Sequence, residues 1–157
     1  MEALAARVGE ALKSRGWMLA TAESCTGGGI AQAVTAVAGS SAWFERGFVT
    51  YSNLSKQQML GVRDATLVAH GAVSEAPVRE MAQGALRHSA AQVALAVSGI
   101  AGPGGGTPEK PVGTVWLAWI TVDGRIMATR KYFPGDRDEV RAQAVRAALQ
   151  GLLDLLA

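Results

Sequence analysis

A serine beside a run of glycines is the first feature of the sequence that could carry chemistry. Ser24 lies within residues 21–29, directly after a glutamate and shortly before Gly27, Gly28 and Gly29. Glycines let backbone N–H groups approach a phosphate or a developing oxyanion, and a helix that begins after Ser24 would add the positive end of its dipole. We therefore predict that residues 21–29 form one edge of an active site, with Ser24 as the nucleophile.

A nucleophilic serine needs a base, and Lys56 is the best candidate in this sequence. The only two histidines, His70 and His88, stand in no suggestive context. A lysine acts as a base only if burial or a neighbouring charge lowers its pKa. Serine–lysine pairs perform amide chemistry in this way on unrelated folds. The alternative is that Lys56 is an ordinary solvated residue of a helix.

Two alternatives compete with a nucleophilic Ser24. Ser24 or Thr26 could simply cap the helix that follows. Cys25 could be the nucleophile instead, since a helix N-terminus favours a thiolate. A lone cysteine is, however, more often a small buried filler of the core. The hypothesis therefore rests on Ser24 rather than on Cys25.

A second glycine-rich loop, residues 98–106, also follows a predicted core strand. Ligands of open α/β sheets bind beyond the carboxyl ends of the strands, so both loops could face one crevice. Neither loop matches the Walker or the dinucleotide-binding pattern, and plain tight turns are the alternative. Arg137 and Arg141 lie one helical turn apart and could clamp a substrate phosphate, unless they are only a solvated helix start.

The elements that must position these residues follow from hydrophobic periodicity and from turn residues. Asp123 and Gly124 form the strongest hairpin signal and predict that two late strands pair with each other. The alternation of the other elements predicts a three-layer α/β/α sandwich with a mixed, mostly parallel sheet. Helices are predicted over residues 2–15, 30–37, 55–60 (with Asn53 as its N-cap), 74–89 and 138–155, and strands over 17–21, 44–51, 93–97, 114–122 and 126–133.

Length and composition limit the class of protein. The 157 residues, 49% of them hydrophobic, suit a single domain over residues 1–157. One cysteine excludes a disulfide framework, and no Cys/His cluster has the spacing of a metal site. A net charge of +2, spread along the chain, is too small to favour nucleic-acid binding. No apolar stretch reaches membrane-spanning length, so we expect a cytoplasmic protein without a membrane partner.

Four separated motifs, in order, resemble the C-terminal domain of the competence/damage-inducible protein CinA. They are residues 23–28, residues 51–56 with Tyr51 and Lys56, residues 71–74 and residues 98–103. The similarity runs from about residue 3 to residue 155. The stand-alone members of this family are PncC-type nicotinamide-nucleotide amidases. One departure is Ser98, where the family pattern has threonine; the hydroxyl is retained.

The resemblance implies hydrolysis of the carboxamide of nicotinamide mononucleotide to nicotinate mononucleotide and ammonia, in pyridine-nucleotide recycling and without a metal or cofactor. It implies that Lys56 takes the proton of Ser24, that the turn at residues 26–28 steadies the oxyanion, and that Lys56 or Tyr51 helps ammonia to leave. The implied catalytic residues are Ser24, Lys56 and Tyr51, and the implied substrate-binding residues are Thr26, Gly27, Gly28, Gly99, Ala101, Gly102, Arg137 and Arg141.

A rival hypothesis is a catalytically silent nucleotide-binding or regulatory module, because domains of this family also occur attached to another domain. The presence of serine, tyrosine and lysine together favours the enzyme. We also expect a homo-oligomer. Trp43 and Phe44 are candidate contacts between subunits, although a place in the core is the simpler interpretation for both.

Overall fold

Five strands form the central sheet of the computed structural model, which describes residues 1–157. They are β1 (Leu19–Glu23), β2 (Phe44–Val49), β3 (Val93–Gly99), β4 (Thr114–Thr121) and β5 (Ile126–Tyr132). Their order in the sheet is β2-β1-β3-β4-β5. β1 pairs parallel with β2 and β3, whereas β4 pairs antiparallel with β3 and β5. Only β4 therefore runs against the other strands, and the predicted mixed sheet is confirmed.

Helices cover both faces of the sheet, which confirms the three-layer α/β/α sandwich. One face carries α1 (Glu2–Arg15), α2 (Gly29–Thr35) and α6 (Arg137–Leu156); the other carries α3 (Asn53–Leu60), α4 (Asp64–His70) and α5 (Glu75–Arg87). No helix combines the length and the apolar character needed to cross a membrane.

The central strand β3 contributes side chains to the hydrophobic cores on both faces of the sheet. Val93, Leu95 and Val97 point into the core beneath α1, α2 and α6, whereas Ala94 and Ala96 point into the core beneath α5. Successive side chains of a strand alternate between its faces, so large and small residues are sorted onto opposite faces. The alanine face lets α5 pack closely on the sheet.

The structure corrects two predicted boundaries and adds one helix. β1 begins at Leu19 rather than at residue 17, and it ends at Glu23 rather than at residue 21. The N-cap of α3 is Ser52 and not Asn53, in a reciprocal capping box with Ser55. Helix α4 was not predicted at all. Its N-terminus is stabilised by a carboxylate on α5, a partner that lies far away in the sequence.

Trp43 is a core residue, since only 2% of it is exposed and its ring lies over Gly9. A Cβ on Gly9 would lie 2.6 Å from the Trp43 ring, so α1 can pack there only with glycine at this position. The structure therefore favours the core interpretation of Trp43 over a role in subunit contact.

The parallel arrangement of β1, β2 and β3 brings their carboxyl ends to one edge of the sheet. Residues 24–28, 50–52 and 100–113 leave the strands there. All five residues of β1 are buried between its two neighbours, so the turn that follows β1 starts from the interior of the protein. This edge is where the predicted site residues meet.

Candidate active site

Ser24 and Lys56 meet at the carboxyl edge of the sheet, although 32 residues separate them in the sequence. The Nζ atom of Lys56 lies 3.1 Å from Oγ of Ser24. Ser24 leaves the end of β1, and Lys56 reaches it from the first turns of α3. Only 2% of Lys56 is exposed, so the interpretation of Lys56 as a solvated helix residue is wrong.

The surroundings of Lys56 suit a base. Burial lowers the pKa of its ammonium group below the ordinary lysine value, because burial in a medium of low polarity disfavours the charged form. None of the four ion pairs in the structure involves Lys56, so no carboxylate offsets this effect. The ammonium also donates to the carbonyl of Thr50 at 2.9 Å. As a neutral amine, Lys56 can donate to Thr50 and still offer its lone pair to Ser24.

Cys25 has the opposite electrostatic character. Its side chain is buried, and burial raises the pKa of its thiol to about 11. The thiol is therefore protonated at neutral pH, whereas the thiolate is the nucleophilic form. The structure favours Ser24 over Cys25 as the nucleophile.

The turn after Ser24 is held by Glu23, which lies within the predicted site edge at residues 21–29 but had no predicted role. The carboxylate of Glu23 accepts hydrogen bonds from the hydroxyl of Thr26 at 2.6 Å and from the N–H groups of Ile30 at 2.8 Å and Ala31 at 3.0 Å. Helix α2 is thus capped by Glu23, and the alternative in which Ser24 or Thr26 caps it is wrong. The N–H groups of Ile30 and Ala31 are therefore not available to an anionic ligand.

The free backbone donors of the turn differ from those predicted. The N–H of Gly27 is bonded to the carbonyl of Ser24 and is not available to a ligand. The N–H groups of Cys25, Thr26 and Gly28 make no hydrogen bond within the chain. Gly27 and Gly28 have φ angles of 58° and 102°, which glycine adopts without steric cost. The N–H groups of Cys25 and Thr26, one and two residues after Ser24, are therefore the unpaired backbone donors next to it in the chain.

A cleft of about 270 Å³ opens beside Ser24. Its lining joins Ser24 and Cys25 of the first glycine-rich segment, Tyr51 and the loop after β3, so both segments border one crevice. The predicted binding residues Thr26, Gly27 and Gly28 do not line it. Its walls are made by Ser24, Cys25, Tyr51, Gly99, Ile100, Ala101, Gly102, Gly104, Gly105 and Arg137. A second hollow of about 550 Å³ shares Ala101 and Arg137 with the cleft and is also lined by Asp136 and Asp138.

Tyr51 lies in the cleft but makes no hydrogen bond with Ser24 or Lys56. It is 61% exposed, and its hydroxyl accepts a hydrogen bond from the guanidinium of Arg137 at 2.8 Å. The same guanidinium donates to the carbonyl of Gly102, also at 2.8 Å. Arg137 therefore bridges the segment after β2 and the loop after β3 across the cleft.

Arg141 does not share a free cationic face with Arg137. Its guanidinium donates to the carbonyls of Cys25 at 3.2 Å and Thr26 at 3.3 Å, so it supports the Ser24 turn. The side chain of Thr26 is likewise turned away from the cleft towards Glu23, and only 1% of Thr26 is exposed. Nowhere do three or more His, Cys, Asp or Glu side chains group closely enough to hold a metal ion.

Fold and site together define a class: an α/β/α domain with a buried serine–lysine pair at the carboxyl edge of its sheet. Within that class, the chain belongs to the CinA C-terminal domain family, whose model matches residues 1–156. The resemblance seen in the four sequence motifs is thereby confirmed.

Similar proteins cover nearly the whole chain. Nicotinamide-nucleotide amidohydrolase PncC of Escherichia coli (strain K12) is 60% identical over 149 residues, which cover 95% of this chain and 90% of that protein. The Pseudomonas putida protein of the same name is 57% identical and covers 97% of this chain and 94% of its own length. The crystal structure of the competence/damage inducible protein CihA from Agrobacterium tumefaciens superposes with a TM-score of 0.97, at 50% identity, covering 99% of this chain and 95% of that chain.

Proposed function

We propose that the chain is a nicotinamide-nucleotide amidohydrolase that converts nicotinamide mononucleotide to nicotinate mononucleotide and ammonia through Ser24 and Lys56. The observation that carries the proposal is the buried 3.1 Å contact between Ser24 Oγ and Lys56 Nζ. The relatives named PncC support the substrate, since they match this chain from end to end at 57–60% identity. Such a reaction serves the recycling of pyridine nucleotides.

In the first half of the reaction, neutral Lys56 takes the hydroxyl proton of Ser24 as Oγ attacks the carboxamide carbon. The carbonyl oxygen then becomes an oxyanion. We assign the free N–H groups of Cys25 and Thr26 as its donors, because these residues follow Ser24 directly and their N–H groups have no partner within the chain.

In the second half, the C–N bond of the tetrahedral intermediate breaks, and the leaving nitrogen takes a proton from the ammonium of Lys56. Ammonia departs and leaves the acyl group of nicotinate mononucleotide as an ester on Ser24. Water then attacks this ester as neutral Lys56 accepts a proton from it. The proton passes back to Ser24 as the nicotinate product is released.

The nucleotide part of the substrate is recognised by the far wall of the cleft. Arg137 uses two donors on Tyr51 and Gly102 and has others left for a phosphate, whose geometry a guanidinium can match with two parallel hydrogen bonds. Asp136 and Asp138 line the adjoining hollow, and carboxylates there suit the hydroxyl groups of the ribose rather than a second anion.

The decisive experiment measures ammonia release from nicotinamide mononucleotide by the purified protein, with nicotinamide riboside as the comparison substrate. We expect turnover of the mononucleotide and weaker turnover of the riboside, which lacks the phosphate. Ser24→Ala and Lys56→Ala should each abolish turnover, and wild-type rates in either variant would overturn the mechanism.

A trapped intermediate separates covalent catalysis from a serine that only positions water. Intact-mass measurement after rapid acid quenching should show an adduct with the mass of the nicotinate mononucleotide acyl group on the wild-type protein and none on Ser24→Ala. Binding of the mononucleotide by calorimetry without any ammonia release would instead support the rival, a silent nucleotide-binding module.

A further inference from the structure

Glu23 is the most deeply buried carboxylate of the molecule, and it has no cationic partner. It is 1% exposed and takes part in none of the four ion pairs. A buried charge is costly unless hydrogen bonds satisfy it, and Glu23 is satisfied by one hydroxyl and two backbone N–H groups. Each of these donors belongs to the turn after Ser24 or to the helix that follows it.

The hydrogen bonds of Glu23 hold the segment that follows the proposed nucleophile, Ser24. Glu23 directly precedes Ser24, and its side chain reaches forward to Thr26 and to the first turn of α2. It does not line the cleft, so it has no direct access to a ligand. From the other side, Arg141 holds the carbonyls of Cys25 and Thr26. Glu23 and Arg141 thus hold the turn from two sides, through the hydroxyl of Thr26 and through the carbonyls of Cys25 and Thr26.

We propose that Glu23 is a positioning residue, whose carboxylate sets the geometry of Ser24 and of the backbone donors at Cys25 and Thr26. By bonding the hydroxyl of Thr26 and the N–H groups of α2, Glu23 fixes the turn in the conformation that leaves the N–H groups of Cys25 and Thr26 free. The inference rests on the proposed function, because it assigns Glu23 to the same reaction.

The chain offers a matched control for this proposal. Glu80 on α5 is a half-buried carboxylate that accepts from the N–H of Arg63 at 2.9 Å and from the hydroxyl of Thr66 at 2.7 Å. It therefore supports the start of α4 much as Glu23 supports the start of α2. Glu80 lines neither the cleft nor the adjoining hollow. A purely structural cap and a positioning residue can be compared within one molecule.

The experiment compares Glu23→Gln with Glu80→Gln by three measurements: thermal unfolding, kcat and KM for nicotinamide mononucleotide, and the rate at which a fluorophosphonate labels Ser24. We expect both variants to unfold at a lower temperature. In Glu23→Gln, kcat and the labelling rate should fall roughly 10-fold to 100-fold, as expected when a reacting group is displaced by a fraction of an ångström, with little change in KM. Glu80→Gln should keep wild-type kinetics and labelling.

A Glu23→Gln variant with wild-type kcat and labelling would overturn the proposal, and so would equal kinetic losses in both variants. If Glu23→Gln does not fold, Thr26→Ser and Thr26→Val decide the question. The serine variant keeps the hydroxyl and should keep most of the labelling rate, whereas the valine variant should lose it. Equal rates in the two would contradict the proposal.

Labelling also separates this inference from the proposed function. A wild-type protein that labels at Ser24 but releases no ammonia would refute the proposed reaction. The effect of Glu23→Gln on labelling would still test the positioning role.

Discussion

The two walls of the cleft are built in different ways. The turn wall, residues 24–28, is anchored inside the protein by Glu23 and Arg141. The loop wall, residues 99–106, ends in an exposed glycine-rich stretch over residues 103–106 and is joined to the rest of the site by Arg137. Only the turn wall carries the reacting hydroxyl. Under the proposed function, we expect changes in the turn wall to alter the chemical step and changes in the loop wall to alter substrate binding.

The largest expected effect is that of replacing Lys56, the proposed base, which lies buried next to the turn wall. Lys56→Met keeps the length of the side chain and removes the amine, so kcat should fall by about 10³-fold or more, as when the base of a catalytic unit is removed. The variant should be at least as stable as the wild type, because an apolar side chain replaces a buried ionisable one. Ammonia release measures the change in kcat, and thermal unfolding measures the change in stability. Lys13→Met, at an exposed lysine, is the control. A variant that retains kcat would remove Lys56 from the chemistry.

The pH profile tests the same wall without a mutation at Ser24. Because burial lowers the pKa of Lys56, kcat/KM should rise with pH through that lowered value and level off below the ordinary lysine pKa of about 10.4. The unfolded chain binds a proton at higher pH than the folded one. The Lys56 contribution to stability is therefore present above the ordinary pKa and is lost as pH falls through the folded value.

Chemical unfolding across that pH range provides the measurement, and Lys56→Met serves as the reference. The wild type should lose stability relative to Lys56→Met as the pH is lowered. A difference that stays constant over the range would contradict the lowered pKa of Lys56.

The loop wall is tested by Arg137→Ala. Removing the guanidinium takes away the proposed phosphate donor and the link between Tyr51 and Gly102, so KM should rise roughly 10-fold to 100-fold with kcat changed only a few-fold. The control is Arg146→Ala, an exposed arginine on the same helix. Steady-state kinetics measure both constants. A large fall in kcat with an unchanged KM would contradict the expectation that the loop wall acts in substrate binding.

The smallest expected effect concerns a hydroxyl beside the base. Thr50 is fully buried, and its hydroxyl has no hydrogen-bond partner, although its carbonyl accepts from Lys56. Thr50→Val removes only the unpaired hydroxyl, so the free energy of unfolding should rise by about 1 kcal/mol and kcat should stay unchanged. Denaturant unfolding and ammonia release measure both. A fall in stability would show that the hydroxyl is satisfied in solution.

Local sequence patterns pointed to Ser24 and Lys56, but they did not point to Glu23, which holds the turn after Ser24. Ser24 and Lys56 could be proposed because a hydroxyl near free backbone donors and a lysine that could be buried are recognisable residue by residue. In the sequence Glu23 is only an acidic neighbour of Ser24, because Thr26, Ile30 and Ala31 become its hydrogen-bond partners only once the turn has formed. Helix α4 was missed for a similar reason, since its cap comes from Glu80 on another helix.

Arg141 shows the limit of helical spacing as a guide. One turn separates it from Arg137, which suggested a shared cationic face, yet the packing of α6 against the Ser24 turn directs Arg141 to two backbone carbonyls. Arg137, at the exposed start of the helix, alone reaches the cleft.

By itself, the sequence determined the alternation of strands and helices, the mixed sheet, the family, and the residue types at the carboxyl edge, because periodicity and turn residues are local properties. Only the tertiary structure decided that Lys56 is buried against Ser24, that Glu23 and Arg141 hold the turn, and which backbone N–H groups stay free. Burial, pKa and hydrogen-bond partners depend on which elements pack together, and that packing joins Arg141 to Cys25, which lies 116 positions away in the sequence.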